Sequence, residues 1–361
     1  MNITVILLLL AGLVLLVVGA ELLVRGASDV ATRMGISPLI VGLTIVAYGT
    51  SSPEMAVSIQ SGLAGNADIA LGNVVGSNIF NVLAILGIAA IIAPMMVANQ
   101  LIRIDVPIMI GVSVLALMFG ADGKISRVDG IILFILGVLY TAFQIYEGRR
   151  QAIASALEDS ENGNQRQRLT PQQIIINIAL ILAGLVLLVL GSQFLIDSSI
   201  SIAKAIGVSD LVIGLTIVAA GTSLPELASS VIASFKGEQD IAVGNVVGSN
   251  IFNILAVLGL SAVVSANGIN VSDAALRFDV PVMIAVAIAC LPIFSSGRSI
   301  SRWEGILFLF YYVVYTAYLI LQSTNHSQLP MFSQVMTFFV IPITVVTIAV
   351  SYFRSHKRSR I

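Results

Sequence analysis

The sequence has few charged residues for its length. Of 361 residues, 10% are charged and 57% are hydrophobic, whereas soluble domains carry about 25% charged and about 45 to 50% apolar residues. Such a chain cannot cover a water-facing surface with its charges, so we interpret it as an integral membrane protein and exclude a soluble enzyme. The formal net charge of −1 provides no overall basic surface, and we expect no nucleic-acid partner.

Cysteine and histidine are also scarce. Cys290 is the single cysteine, so no intrachain disulfide can form and a cysteine-based metal site is excluded. The two histidines, His326 and His356, fall in a predicted loop and in the C-terminal tail. Because no nucleophile and base pair or metal triad is evident, we expect neither an enzyme nor a bound cofactor.

Long apolar runs predict transmembrane helices. One helical span needs about 20 apolar residues, and continuous runs disfavour a β-barrel. The N-terminal run lacks a positive n-region and a cleavage site, so we interpret it as a first span rather than a signal peptide. We predict an all-α, polytopic membrane protein. Its eleven predicted spans are 3–24, 37–63, 67–93, 104–120, 128–146, 172–196, 209–235, 240–264, 278–296, 303–321 and 331–353.

The basic residues predict an orientation, because cytoplasmic loops retain lysine and arginine. If the N-terminus lies outside, 14 of the 18 basic residues lie on the inner side of the membrane. The four outside are Lys124, Arg127, Lys204 and Arg277. We therefore predict a multi-pass protein of the plasma membrane (a bacterial inner membrane), embedded in the lipid bilayer, with its linker and C-terminus in the cytoplasm.

An internal repeat divides the chain in two. GLTIVA begins at residue 42 and again at residue 214, and GNVVGSNIFN begins at residues 72 and 244, both at an offset of 172. Each half holds five spans, so the second half enters the membrane with opposite polarity. Inverted repeats of this kind are typical of secondary transporters, which bind substrate near the bilayer midplane. The predicted units are a first five-helix repeat (1–147), a cytoplasmic linker (148–171), a second five-helix repeat (172–322), an additional C-terminal helix (331–353) and a basic tail (354–361).

Two carboxylates fall in the middle of predicted spans. Glu54 and Glu226 are repeat equivalents, and no lysine or arginine lies at matching depth. A charge at the bilayer centre costs at least about 2.5 to 3.5 kcal/mol on insertion scales, so such residues face a cavity or a counter-charge. The counter-charge is then a proton or a bound cation. Glu21 precedes Arg25 by one helical turn, and we expect these two to pair. Acidic residues expected at span ends, solvated or interfacial, include Asp68, Asp105, Asp129, Asp240, Asp279 and Glu304.

Oxygen-bearing side chains accompany each buried carboxylate. Thr50 and Ser51 precede Glu54 by four and three residues, so the three side chains share a helix face. Pro53 lacks an N–H, and its ring clashes with the carbonyl of Gly49, so the helix must open or kink there and free backbone carbonyls. The second repeat has the same arrangement at Thr222, Ser223, Pro225 and Glu226, with carbonyls near Ala219 and Gly221.

The following helix of each repeat adds further oxygens and two glycines. Its polar residues recur at i, i+4 and i+8, on one face. They are Asn73, Ser77 and Asn81 in the first repeat, and Asn245, Ser249 and Asn253 in the second. The GxxxG pairs at 72–76 and 244–248 predict close helix approach. Two carboxylates with neutral oxygens suit Ca²⁺ or Na⁺ and do not suit zinc or copper.

At these motifs the chain resembles the cation/calcium exchanger superfamily, in its prokaryotic sodium/calcium exchanger branch. The motifs are GLTIVAYGTSSPE and GLTIVAAGTSLPE, each followed by GNVVGSNIFN, and the resemblance covers about the first 320 residues. It implies a secondary transporter that exchanges Na⁺ for Ca²⁺ by alternating access. The implied ion site consists of Thr50, Ser51, Glu54, Ser77, Asn81 and the carbonyl of Ala47, with Thr222, Ser223, Glu226, Ser249, Asn253 and the carbonyl of Ala219.

The sequence departs from the family pattern at one position. Many members carry aspartate at the end of one SNIF(N/D) motif, whereas Asn81 and Asn253 are both amides here. One negative charge is therefore absent, which bears on the sodium stoichiometry and argues against the potassium-dependent subgroup. Proton-coupled members usually carry a Glu-His pair where this chain has Ser249 and Asn250. Two alternatives stay open: a Ca²⁺/H⁺ exchanger acting through the glutamates, and a passive cation channel.

Overall fold

The fold is almost entirely helical, as predicted. The computed structural model describes residues 3–64, 67–161, 170–205, 219–347 and 349. Within these ranges, nine helices are long and apolar enough to cross a membrane, and two shorter apolar helices accompany them. In chain order the helices are α1 (Ile3–Met34), α2 (Pro38–Thr50), α3 (Ser52–Leu63), α4 (Ala67–Phe80, continued by Asn81–Leu86 and Gly87–Ile92), α5 (Leu101–Gly120), α6 (Arg127–Glu161), α7 (Pro171–Ala205), α8 (Ala219–Gly221), α9 (Leu224–Phe235), α10 (Gln239–Val264), α11 (Ala275–Ser295), α12 (Arg302–Ser323) and α13 (Leu329–Thr347).

The helix bounds differ from the predicted spans in several places. Helices α1 and α7 continue to Met34 and Ala205, beyond the predicted ends at residues 24 and 196. The described part of the predicted span 209–235 consists of two helices, α8 and α9. The predicted span 37–63 consists of two helices, α2 and α3. Helix α6 continues beyond its predicted end and makes the first part of the expected linker helical, up to Glu161. Residues 162–169 of the linker, residues 209–218 of the seventh predicted span and the basic tail 354–361 lie outside the described residues.

A proline causes the break between α2 and α3. Ser51, at the junction, has φ −81° and ψ 10°, and Pro53 lies in the first turn of α3, where a missing N–H costs no helical bond. The second repeat repeats this geometry: Ser223 has φ −90° and ψ 10°, and Pro225 lies in the first turn of α9. The predicted interruption is confirmed in both halves.

Two short strand pairs connect the halves of the molecule. Strand β1 (Met95–Met96) pairs antiparallel with β4 (Ser299–Ile300), and β2 (Lys124–Ile125) pairs antiparallel with β3 (Ile269–Asn270). Strands β1 and β3 follow the equivalent helices α4 and α10, and β2 and β4 precede the equivalent helices α6 and α12. Each pair therefore takes one strand from each half, which is the exchange expected of two inverted repeats.

Helices α4 and α10 form the centre of the molecule. In their most apolar stretches 78% and 89% of the residues are buried, against 22% for α1 and none for α13. Around this centre, α1 packs along α7 through glycines: a Cβ on Gly19 would lie 2.8 Å from the carbonyl oxygen of Gly184. The central helices are those that carry the repeated GNVVGSNIFN motif.

Three expectations about charged residues are wrong. Glu21 pairs with Lys236 at 2.5 Å and not with Arg25, because α1 packs against α9, whose C-terminal end carries Lys236.

Two acidic residues that were expected to be solvated or interfacial, Asp105 and Glu304, are buried, at 0% and 3% exposure. Two donors on α6 bind Oδ1 of Asp105: the hydroxyl of Tyr140 at 3.0 Å and the amide of Gln144 at 2.6 Å. Its Oδ2 has no partner among the described residues. Glu304 Oε2 accepts bonds from the N–H and the hydroxyl of Ser301, at 2.8 Å and 2.6 Å.

Candidate ion site between the repeats

The helix breaks bring the two membrane carboxylates together. Glu54 lies in the first turn of α3 and Glu226 in the first turn of α9, and both side chains are completely buried. The two carboxylates lie at the junction of the repeats, because each accepts a hydrogen bond from the serine that precedes the other by three residues. Among the described residues, every ion pair lies elsewhere on the molecule, so no described basic side chain neutralises either glutamate.

Each glutamate is hydrogen-bonded by a serine of the other repeat. Ser51 Oγ donates to Glu226 Oε1 at 2.7 Å, and Ser223 Oγ donates to Glu54 Oε1 at 2.8 Å. Ser77 Oγ of α4 lies 3.1 Å from Ser223 Oγ. The serines at the two helix breaks thus join the repeats at the level of the carboxylates.

The threonines at the breaks are oriented by asparagines, again across the repeats. Thr50 Oγ1 donates to Asn245 Oδ1 at 3.1 Å, and Thr222 Oγ1 donates to Asn73 Oδ1 at 3.3 Å. The Nδ2 of Asn245 donates to two serine hydroxyls of α9, Ser229 at 3.0 Å and Ser230 at 2.9 Å. Thr50 Oγ1 also lies 3.4 Å from the carbonyl oxygen of Ala47, and its single hydroxyl proton can serve only one of these acceptors at a time.

At the junction of the repeats, four buried acceptor oxygens have no hydrogen-bond partner among the described residues. They are Glu54 Oε2, Glu226 Oε2, Asn81 Oδ1 and Asn253 Oδ1. Buried polar atoms are normally hydrogen-bonded, and each one left unsatisfied costs about 1 to 3 kcal/mol. The four atoms form two repeat-equivalent pairs, and all are acceptors. Such a set is complemented by a cation or by protons.

The predicted backbone ligands have different surroundings in the two repeats. The carbonyl of Ala47 keeps its helical bond to the Ser51 N–H at 3.0 Å, and Ser249 Oγ lies 3.5 Å from the same oxygen. The carbonyl of Gly221, freed by Pro225, accepts a bond of 2.7 Å from Ser192 of α7. Ala219 begins α8 directly after the undescribed residues.

Sequence reasoning did not single out two asparagines of this region, Asn78 and Asn250. Their amides bond to each other's backbone across α4 and α10: Asn78 Nδ2 donates to the carbonyl of Asn250 at 3.1 Å, and Asn250 Nδ2 to that of Asn78 at 3.2 Å. Both belong to the decapeptide that recurs unchanged in the two repeats. The identity of this decapeptide in the two repeats was the sequence signal that could have identified both asparagines.

One of the two predicted GxxxG contacts, at Gly244 and Gly248, falls between described residues. A Cβ on Gly248 would lie 2.6 Å from the carbonyl oxygen of Leu43, and one on Gly244 would lie 2.8 Å from that of Leu39, so close helix approach is confirmed for this pair. No described atom lies within 4 Å of a Cβ on Gly72 or Gly76. The repeat equivalents of Leu39 and Leu43 are residues 211 and 215, outside the described residues.

The charge of the site comes from the two glutamates. Within the described ranges, no three side chains of histidine, cysteine, aspartate or glutamate come together. The remaining oxygens of the site belong to hydroxyl, amide and carbonyl groups. This donor set is that of a hard cation bound by oxygen, with two negative charges available to it.

An all-helical membrane protein with two inverted repeats and buried oxygens at their junction has the architecture of a secondary transporter. The family model of the sodium/calcium exchanger protein matches residues 4–146 and 176–321. The chain belongs to this family, and it is a cation/Ca²⁺ exchanger rather than an enzyme.

Individual relatives cover nearly the whole chain. The sodium/calcium exchanger MaX1 of Methanosarcina acetivorans is 37% identical in an alignment of length 342 that covers 86% of this chain and 96% of that protein. Inner membrane protein YrbG of Escherichia coli is 40% identical over 79% of this chain and 87% of its own. A solved structure of the sodium-calcium exchanger NCX_Mj, soaked with Na⁺ and Ca²⁺, has a TM-score of 0.75 at 30% identity and covers 88% of this chain and 99% of that one.

Proposed function

We propose that this chain exchanges Na⁺ for Ca²⁺ across the plasma membrane and that the inward Na⁺ gradient drives the extrusion of Ca²⁺. The observation that carries the proposal is the set of four unsatisfied acceptor oxygens contributed equally by the two repeats. Glu54 and Glu226 supply the charge. Two carboxylates neutralise one Ca²⁺, and the same oxygens can hold monovalent Na⁺ ions in alternation with it.

The oxygen count favours Ca²⁺ as one of the two ions. Calcium takes about 6 to 8 oxygen ligands at about 2.3 to 2.6 Å, from carboxylates, carbonyls and other neutral groups. The relatives MaX1 and NCX_Mj are named as sodium/calcium exchangers, which supports the same pair of ions here. The proposed ligands are Thr50, Ser51, Glu54, Ser77, Asn81, Thr222, Ser223, Glu226, Ser249, Asn253 and the backbone carbonyls of Ala47 and Ala219.

The exchange proceeds by alternating access in this proposal. The repeats 1–147 and 172–322 each supply half of the ligands, so a movement of one repeat relative to the other opens the site to one side of the membrane and closes it to the other. The N-terminus lies outside, and the linker 148–171 and the C-terminal tail lie in the cytoplasm. The extra helix at 331–353 is peripheral to the exchange unit.

Proton coupling is the second candidate, because one observation favours it. Two buried carboxylates without a described basic partner can be neutralised by protons as well as by metal ions. A Ca²⁺/H⁺ exchanger would use Glu54 and Glu226 as its proton carriers. The absence of a Glu-His pair at Ser249 and Asn250 makes this the weaker candidate.

Flux measurements with the purified protein in liposomes distinguish these functions. Vesicles loaded with Na⁺ and diluted into Na⁺-free medium should accumulate radioactive Ca²⁺, and vesicles loaded with K⁺ should not. Uptake driven equally well by a pH gradient alone would instead establish proton coupling. A passive channel would show unitary currents in planar bilayers, and an exchanger would show none.

A further inference from the structure

Four asparagines form a hydrogen-bonded cluster, the asparagine cluster, where α4 crosses α10. Asn81 Nδ2 donates to Asn250 Oδ1 at 3.0 Å, and Asn253 Nδ2 donates to Asn78 Oδ1 at 3.1 Å. The amide oxygens of Asn81 and Asn253 are among the four unsatisfied acceptors of the site, whereas those of Asn78 and Asn250 are satisfied within the cluster. All four side chains are at most 2% exposed.

The orientation of Asn250 in the asparagine cluster is fixed by two groups that can accept but not donate a hydrogen bond. Its Nδ2 faces the backbone carbonyl of Asn78 at 3.2 Å and the Sδ of Met109 at 3.6 Å. A flipped amide would point its oxygen at two acceptors, so the Nδ2 must lie on that side and Oδ1 on the other. Asn78 is fixed in the same way, by the carbonyl of Asn250 at 3.1 Å and by Met283 Sδ at 3.7 Å.

The fixed asparagines in turn determine the orientation of their partners. Since Asn250 presents Oδ1 to Asn81, the end of Asn81 nearest to it must be the NH₂ group, which leaves Oδ1 of Asn81 on the opposite side. In the same way, Asn78 Oδ1 faces the NH₂ group of Asn253 and leaves Oδ1 of Asn253 on the opposite side. A free amide can turn by about 180° and exchange its oxygen for its NH₂ group, and an NH₂ group facing a cation would repel it.

We propose that Asn78 and Asn250 are positioning residues, which lock the amides of Asn253 and Asn81 so that each presents its oxygen to the transported cation. This inference rests on the proposed function, because it names two further determinants of the same site. Each lock crosses from one repeat to the other. The neutral amides can therefore serve as ligands without the charge of the aspartate that many family members carry.

Ca²⁺ binding to the purified protein tests the lock on Asn81. Asn250→Leu keeps the approximate size of the side chain and the backbone carbonyl that orients Asn78. It removes the acceptor that faces Asn81, together with the Nδ2 group that donates to the backbone carbonyl of Asn78. Partners that orient a ligand typically change metal affinity by about 10-fold to 100-fold when they are removed. We expect a Ca²⁺ dissociation constant raised by about that factor in isothermal titration.

A rescue experiment separates positioning from a merely structural effect. In the Asn250→Leu protein, Asn81→Asp places an oxygen toward the cation whichever way the side chain turns, so it should restore tight Ca²⁺ binding. The matched control is Asn253→Asp in the same Asn250→Leu protein. It adds the same charge to the same site, but it leaves the orientation of Asn81 unfixed. Asn253→Asp in the wild-type protein measures the cost of placing a carboxylate beside Asn78 Oδ1, and after correction for that cost the restoration should be smaller by about 10-fold.

The proposal is overturned if Asn250→Leu binds Ca²⁺ like the wild type, if both double variants recover equally, or if neither recovers. If Asn250→Leu does not fold, two other variants test the proposal. Asn250→Ala removes the same acceptor. Asn78→Leu removes the acceptor that faces Asn253, so Asn253→Asp becomes the rescue and Asn81→Asp the control. Failure of all three variants to fold would show that the asparagine cluster holds the helices together, and it would also overturn the proposal. A wild-type protein that binds no Ca²⁺ would instead contradict the proposed function.

Discussion

Ser51 Oγ of the first repeat donates a hydrogen bond of 2.7 Å to Oε1 of Glu226 in the second. The bond of 2.8 Å from Ser223 to Glu54 is its repeat equivalent. Neither repeat therefore builds its half of the site alone. A displacement of one repeat against the other must change the surroundings of both carboxylates at once, and in an exchanger this couples ion occupancy to the motion.

The paired serines should contribute equally to ion binding. Ser51→Ala and Ser223→Ala each remove a hydroxyl oxygen and a hydrogen bond to a charged group, which is worth about 1.5 to 3 kcal/mol. We expect each to weaken Ca²⁺ binding by about 10-fold to 100-fold. The control is Ser52→Ala, because Ser52 is exposed and its hydroxyl donates to the backbone carbonyl of Tyr48 rather than to a glutamate. Affinities that fall for Ser52→Ala as much as for Ser51→Ala would refute the assignment.

The close approach at Gly248 should make this position intolerant of an added methyl group. Gly248→Ala places a Cβ 2.6 Å from the carbonyl of Leu43. Overpacking of this kind costs about 1 to 3 kcal/mol. Thermal unfolding in detergent should show a lower midpoint for Gly248→Ala than for Gly111→Ala, because Gly111 is exposed. Equal shifts in the two variants would contradict the close helix contact at Gly248.

The aspartate and tyrosine pairs of the two repeats should also differ in stability. Tyr140→Phe removes a donor to the fully buried Asp105, and Tyr315→Phe removes a 3.0 Å bond to the half-buried Asp279. Leaving a buried charged group short of a donor costs about 1 to 3 kcal/mol or more. We expect the larger loss of thermal stability for Tyr140→Phe. A larger loss for Tyr315→Phe would show that burial does not govern the difference.

The proposed orientation can be checked by cysteine labelling, because Cys290 is completely buried and provides a silent background. Asp122 and Arg149 are both exposed, and they flank the predicted span 128–146 on its two sides. With the N-terminus outside, Asp122→Cys should react with a membrane-impermeant maleimide in intact cells, and Arg149→Cys only after permeabilisation. The reverse labelling pattern would show that the N-terminus lies in the cytoplasm and would contradict the proposed orientation.

Much of the site was predictable because it depends on local chemistry and on the repeat. The clash of Pro53 with the helix predicts the break at Ser51, and the duplicated Glu54 and Glu226 predict a charged centre without reference to any neighbour. Helical spacing also predicts which side chains share a face with each glutamate. These features need only one helix and its immediate sequence.

The features that were missed depend on contacts between distant helices. Asn78 lies 172 residues from Asn250, and no helical periodicity shows that the side-chain amide of each donates to the backbone carbonyl of the other. The pairing of Glu21 with Lys236 and the burial of Asp105 follow in the same way from how the helices pack. Spacing within a helix defines a face, whereas the neighbour of that face is set by the tertiary structure.

The central claim is that Glu54 and Glu226 together bind the Ca²⁺ that is exchanged for Na⁺. Its most direct test is the uptake of radioactive Ca²⁺ into Na⁺-loaded proteoliposomes by the wild type, Glu54→Gln and Glu226→Gln, with Glu21→Gln as a surface carboxylate control. The account predicts Na⁺-dependent uptake by the wild type and by Glu21→Gln and uptake at background for both site variants. Na⁺-dependent uptake that persists in Glu54→Gln and Glu226→Gln would contradict it.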